Sequence, residues 1–288
     1  MHLPFKLNCI SMFSLDYQPS ESLKEYAKVY RLRHFVFQQK IDITFKPFPP
    51  RPEQCLIFYP RGAEVTEDTY SKIKIQRPRS VISGQFTHRI NRYVAYPEFL
   101  MIEVDLRPGA LHRLTGIPFK ELSNKDIDAE AFFPSEMCRV NERLSNVNSY
   151  AEMITIIEAF LQNLVQKQKM DYLAVDHTLH LMTCNAHSCS VDLLAKQTFL
   201  SPRQLERKFD ERIGVSPKTF LRICRFNQSY WMRLKQPTLD WLSIAIACGY
   251  NDYQHLVKDY KEFANTTPNL LFSEERNAPG RMLGLTKY

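Results

Sequence analysis

The side chains best suited to chemistry lie in two short runs near the end of the chain. The first run holds Arg203, Gln204, Glu206 and Arg207; the second holds Tyr253, Gln254 and Lys258. Lys218, Arg222 and Arg225 lie between them. Arg, Lys and Gln side chains pair with guanine and adenine edges when a helix carries them into a DNA major groove. Arg203, Arg207, Gln254 and Lys258 are the candidates for that role, and Lys218, Arg222 and Arg225 for holding phosphates or the core. Patterns for bond-making chemistry are missing: no Gly-rich phosphate loop, no Gly-x-Ser-x-Gly elbow and no His-Glu-x-x-His.

A second cluster has metal-ligand types. His177, His180, Cys184 and His187 fall at i, i+3, i+7 and i+10, near one helical face, and Cys189 follows. Structural zinc sites show paired Cys or His knuckles at short spacing, and Cys184 to Cys189 matches them poorly. The cluster is read as a helix and loop leading into the region above, without a metal. His34, His88 and His112 are scattered, so no cofactor is expected.

The elements that must position the two runs form a repeat. Ser190, Ala195, Ser201, Leu205, Phe209 and Ser216-Pro217 return as Asp240, Ala245, Asn251, Leu256, Tyr260 and Thr267-Pro268, mostly 50 or 51 residues later. That period marks one supersecondary unit used twice. Ser190 and Asp240 are N-cap types. Ser201-x-x-Gln204 and Asn251-x-x-Gln254 read as capping boxes opening second helices. Ala195 and Ala245 let two helices cross closely. Leu205 with Phe209, and Leu256 with Tyr260, turn one face into a core and leave the polar runs outside. Ser216-Pro217 and Thr267-Pro268 each read as a cap followed by Pro at the first helical position. Residues 217–235 read as a long helix joining the copies. A plain packing hairpin is the simpler alternative, but matched caps, cores and tails in two copies favour two helix-turn-helix units.

Over residues 170–272 the chain resembles the AraC/XylS family of transcriptional regulators. Copy one has the small residue, the Ser-x-Arg-x-Leu-x-Arg-x-Phe helix and the Gly-x-Ser-Pro tail. Copy two has Ile244-Ala245-Ile246-Ala247-Cys248-Gly249-Tyr250. It departs at Asn265 for Gly, at Gln254-His255-Leu256 for Ser-His-Phe and at Lys258 for Arg. Asn tolerates a left-handed backbone, whereas Lys lacks the planar fork of Arg. The resemblance implies a bacterial-type, sequence-specific regulator that is not an enzyme and binds double-stranded DNA with both recognition helices in successive major grooves. The alternative is a DNA-directed repair or modification enzyme using the same helices. Its expected Pro-Cys-His-Arg has only Met137-Cys138-Arg139-Val140 as a counterpart.

The front half is broken by Pro47, Pro49, Pro50, Pro52, Pro60, Pro78, Pro97 and Pro108. Residues 54–59, 72–76, 79–83, 88–95 and 99–106 read as strands. Residues 72–76 alternate, predicting one wet face, and 99–104 are continuous, predicting a central strand. The fold class is α+β with two domains. A β-rich, partial-barrel or jelly-roll-like domain over 1–168 ends in a helical hairpin. An all-α domain with two helix-turn-helix motifs joined by a long helix covers 170–275, and 276–288 form a tail. Residues 78–85 and 103–110 resemble an uncharacterised N-terminal sensor-type domain of one AraC-like subgroup, a resemblance that carries no ligand with it; the front domain is expected to sense an unknown small-molecule effector or to mediate assembly. Helices near 130–145 and 149–168 carry a stripe of Met153, Ile156, Ile157, Phe160, Leu161 and Leu164, a candidate for pairing two subunits.

Composition agrees. The 288 residues carry a formal charge of +7 and are 44% hydrophobic, ordinary for a globular chain that binds a polyanion. Seven cysteines without a framework suggest reduced thiols in the cytoplasm. Residues 1–13, interrupted by Pro4, Lys6 and Asn8, do not read as a signal peptide, and no run reaches membrane-spanning length.

Overall fold

A computed structural model describes residues 9–37, 45–94 and 97–276. Ala95, most of the expected signal-free stretch and the tail beyond 276 lie outside them. The front half folds into two antiparallel sheets. The larger has the order β1 (Cys9–Tyr17), β2 (Ala27–Phe37), β9 (Glu98–Leu106), β4 (Gln54–Arg61), β7 (Ser80–Ser83), β10 (Asp126–Asp128). The smaller has β3 (Lys46–Phe48), β8 (Ile90–Val94), β5 (Glu64–Asp68), β6 (Lys74–Gln76). Strand β9 is central, as its continuous apolar run requires, with β2 and β4 on either side.

Side chains alternate across the pleat, so the larger sheet buries two different faces. Leu32, Leu56, Phe58, Leu100, Ile102 and Val104 pack under four helices: α1 (Ala110–Thr115), α2 (Ala129–Phe132), α3 (Pro134–Asn146) and α4 (Tyr150–Gln166). Phe35, Cys55, Ile57, Tyr59, Phe99 and Met101 form a second core on the opposite face. The same alternation puts Glu103 and Asp105 on the Met101 face, where both are buried.

Two expectations change here. The stripe on α4 is buried in its own domain, with Met153, Ile157 and Leu161 almost fully covered. Subunit pairing would therefore need other side chains. Strand β6 buries neither face, and Ile73 and Ile75 are 58% and 61% exposed, because it is the sheet's edge and no layer packs over it.

The C-terminal half is helical: α5 (Ala174–Cys184), α6 (Val191–Thr198), α7 (Pro202–Arg212), α8 (Pro217–Lys235), α9 (Trp241–Ala247), α10 (Tyr253–Ala264) and α11 (Pro268–Arg276). Helix α8 is buried on two faces. Phe220, Leu221 and Cys224 join Leu194, Leu205 and Phe209. Ile223, Phe226 and Tyr230 join Ile244, Leu256, Tyr260 and Phe263. Each helix-turn-helix unit thus has its own core, and one rigid helix about 28 Å long borders both. No helix among the described residues is long and apolar enough to cross a membrane.

The two halves touch at the turn after α7. Gly214 has φ +84°, and a Cβ there would lie 2.3 Å from the Phe119 carbonyl oxygen. Gln54 Nε2 donates to the Arg212 carbonyl at 2.8 Å, and its Oε1 accepts from the Gly109 amide at 3.1 Å. Gly116 also has positive φ, but a Cβ there meets only the Lys169 side chain at 3.5 Å. Gly116→Ala should therefore cost only the backbone penalty, about 1–2 kcal/mol. Gly214→Ala adds a backbone collision and should cost measurably more in urea unfolding; equal costs would mean the interdomain approach gives way freely.

Candidate nucleic-acid interface and an adjoining cleft

The first candidate recognition helix, α7, is held by its caps. Ser190 Oγ accepts from the Leu193 amide at 3.2 Å and opens α6. At α7, Ser201 Oγ accepts from the Gln204 amide at 3.3 Å, while Gln204 Oε1 accepts from the Ser201 amide at 2.9 Å. This is the expected capping box, and it engages the Gln204 carbonyl while leaving its amide nitrogen available. Leu205 and Phe209 are fully buried, which leaves Arg203, Glu206 and Arg207 on the exposed face. Arg207 is 68% exposed, with Glu211 3.7 Å from its Nε.

The second candidate recognition helix, α10, starts differently from the expectation. Asp252, not Asn251, is the N-cap, and its carboxylate accepts from the His255 amide at 2.7 Å. A carboxylate caps as well as Asn and adds charge complementary to the helix dipole. Gln254 therefore has no capping role and is exposed, as is Lys258 one turn on; Tyr253 is half-buried. In front of it, Asp240 Oδ1 accepts from the Leu242 and Ser243 amides, both at 3.0 Å. Ala195 and Ala245 are buried within the two helical cores, and Asn265 takes the left-handed backbone at φ 53°.

The basic residues of α8 divide. Lys218 is exposed in the first turn, just after the Ser216 cap. Arg222 forks onto Asp259 at 2.7 Å and Glu262 at 2.5 Å, and lies over the Phe263 ring. That hydrogen bond holds the Glu262 carboxyl below its usual range. Arg225 lies over Tyr250 and donates to the Gly249 carbonyl at 3.3 Å. Arg222 and Arg225 are thus engaged in tying α8 to the second unit.

One buried ion pair was not legible in advance. Arg212 Nε meets Asp176 Oδ1 at 2.8 Å with both side chains 3% exposed or less, joining α7 to α5. Asp176 Oδ2 also accepts from the Leu173 amide. The clue was a carboxylate three residues into α5. The five His and Cys residues do not converge: Cys184 Sγ lies 3.7 Å from His180 Nε2, and His177, His180 and His187 point into solvent. Among the described residues, the one set with ligand atoms within reach of each other is Cys55, Glu103 and Asp105. Arg31 already contacts both carboxylates, and burial pushes the Cys55 thiol well above its ordinary pKa.

A cleft of about 140 Å³ opens between the two sheets, beside the helical domain. Phe35, Phe48, Val94, Phe99 and Met101 give it an apolar lining, and Arg33, Lys46, Arg51 and Arg92 a cationic one. Arg51 stacks over Phe48 and faces Trp231 of α8. Arg92 is neutralised by Glu64 at 2.8 Å and Glu103 at 3.1 Å. Lys46 has no such ion pair among the described residues, and desolvation lowers its pKa to about 8, with Arg51 and Arg92 pushing the same way against Glu275.

A family model described as a helix-turn-helix domain matches residues 194–273, and one described as a domain of unknown function (DUF6597) matches 15–128. A 1.65 Å structure of ToxT from Vibrio cholerae aligns over 84% of this chain and 97% of its own, with 12% identity and a TM-score of 0.45. Unsaturated fatty acid bound wild-type ToxT aligns over 94% and 97%, with 11% identity and a TM-score of 0.44. An AraC-type DNA-binding domain-containing regulator from Chromobacterium violaceum covers 37% of this chain and 93% of its own at 28% identity, with a TM-score of 0.32. Comparison with curated proteins gives no match. Two capped helix-turn-helix units on one joining helix make this a DNA-binding transcriptional regulator by class. The chain carries an AraC-type helix-turn-helix domain at its C-terminal end and a β-rich DUF6597 domain in front.

The buried pair and the exposed face separate cleanly by mutation. Arg212→Met strands a buried Asp176 and should cost about 3–5 kcal/mol. Arg207→Ala, on the exposed face, should stay within about 0.5 kcal/mol. Thermal unfolding of both checks this, and a stable Arg212→Met would show that Asp176 finds another partner.

Proposed function

We propose that one chain lays α7 and α10 into successive major grooves of a single DNA site, and that the front domain tunes this binding through its cleft. The observation that carries the DNA half is the pairing of two capped helices with available donors at matching positions. Arg203 and Arg207 lie one turn apart on α7, as do Gln254 and Lys258 on α10, and α8 fixes the two helices relative to each other. Glu206, Gln204 and Tyr253 border these faces. Residues 170–275 contain both units, both caps and the Asp176–Arg212 pair, and should fold and bind DNA alone.

The test separates base from phosphate contacts. Arg207→Ala should cost about 1–3 kcal/mol at the selected site and relax preference at one or two base pairs. Lys218→Ala should weaken all sequences alike and lower the salt slope by about one unit. Equal losses on cognate and scrambled duplexes for Arg207→Ala would remove it from base reading.

The cleft supports a monocarboxylate with a flat or slender apolar body as the effector. Its volume is close to that of a protein cavity of about 150 Å³ that holds benzene. Lys46 supplies a cation that makes no direct ion pair among the described residues, although the Glu275 carboxylate acts on it across the cleft. Decanoate or 2-naphthoate should bind, decanol should bind much less well, and Lys46→Met should lose the difference. Because Lys46 gives up its proton near pH 8, carboxylate affinity should fall between about pH 7 and pH 9 in the wild type and stay flat in Lys46→Met. Against desolvation by burial, the Glu64 and Glu103 carboxylates keep Arg92 charged across that range. Calorimetric titration that finds no pH dependence would remove Lys46 from the site.

A further inference from the structure

Besides Glu64 and Glu103, which pair with Arg92, the cleft contains a carboxylate that comes from the DNA-binding domain. Glu275, in the last described turn of α11, lines the cleft with Lys46, Arg51 and Arg92. Its side chain belongs to a residue only 4% exposed, and its Oε2 has no hydrogen-bond partner among the described residues. A buried carboxylate oxygen without a partner is costly unless cations nearby compensate. Here the compensation comes from the facing sheet: Glu275 acts on the Lys46 ammonium, which has no ion-pair partner of its own among the described residues.

The surroundings make that carboxylate a tether. Helix α11 packs on β3, the strand that carries Lys46. The neighbouring Glu274 pairs with Arg89 of the same sheet region. Tyr70 Oη donates to the Glu262 carbonyl of α10 at 3.0 Å. Leu271 of α11 is fully buried in the core that positions α10. The second recognition helix is therefore fastened to the front domain through groups clustered around one end of the cleft.

We propose that Glu275 is a built-in competitor for the cleft's anion site, so that an effector carboxylate displaces it and loosens α11 from the front domain. The proposal rests on the cleft being an effector site for monocarboxylates. It adds the mechanism by which occupancy reaches the DNA-binding half. Without effector, Glu275 and Glu274 hold the second unit against the sheet. With effector, the Lys46 ammonium is neutralised by the ligand, Glu275 loses its compensation, and it leaves for water. The coupling is reciprocal, since whatever stabilises the released arrangement, bound DNA included, must raise effector affinity by the same factor.

Full-length Glu275→Gln tests this, because the amide keeps the shape and removes the competing charge. Decanoate should bind Glu275→Gln on the order of tenfold more tightly than the wild type, about 1.4 kcal/mol, while decanol affinity is unchanged. Amide hydrogen exchange over residues 268–276 should rise in the wild type on adding decanoate, and should already be raised in Glu275→Gln without it. Decanoate binding to the wild type with equal or weaker binding to Glu275→Gln would overturn the competition and leave the effector site standing. Tighter binding of decanol and decanoate alike would also overturn it, since that would report a larger cavity and not a vacated anion site. Failure of both proteins to bind decanoate or 2-naphthoate would remove the effector site, and the competition with it.

Discussion

Helix α8 is the constraint on which the rest depends. A helix usually commits one stripe to one core, but α8 is buried on two. Phe220, Leu221 and Cys224 complete the core under α7, and Ile223, Phe226 and Tyr230 complete the core under α10. Neither recognition helix can rotate about the other without unpacking aromatic side chains that are almost fully covered. Arg222 reinforces this, bridging α8 to Asp259 and Glu262 of α10. Interiors this closely packed transmit displacement and absorb little of it.

Under the proposed coupling, that rigidity gives the front domain something to act on. It touches the first unit at Gly214 and Arg212, through Phe119 and Gln54, and the second through Tyr70, Arg89 and the cleft. The contacts with the first unit are tight and neutral or fully paired. Those with the second include a buried carboxylate lacking a hydrogen bond. A change at the cleft therefore falls on the more weakly satisfied of two attachments. The ligand needs only a modest difference in affinity between the two arrangements to shift their populations.

The helical domain was largely legible in the sequence because its determinants are local. Caps at Ser190, Ser201, Ser216 and Asp240 act within three residues, and Leu205 with Phe209 declare their face by spacing alone. The miss at Asn251 came from two adjacent capping types, where the backbone of the turn selects Asp252. The front domain was legible only in its apolar strands. Strand β2 carries Arg31, Arg33 and His34 among its hydrophobic residues, which hid its pattern. Those charges are what the cleft uses: Arg31 and Arg33 line it beside Phe35. The cleft itself joins residues more than two hundred positions apart, from Ser14 to Glu275, and no local spacing announces such a convergence. The fate of Arg222 was likewise open until Asp259 and Glu262 were placed opposite it.

The central claim is that a single chain reads DNA through two helices held at fixed separation. Selection of duplexes bound by the full-length protein from a random pool tests it most directly. The account predicts an enriched site with two short unlike blocks whose centres lie about one helical turn, or about 10 base pairs, apart. A single enriched block, or two blocks whose spacing varies freely, would contradict the rigid coupling of α7 and α10 through α8.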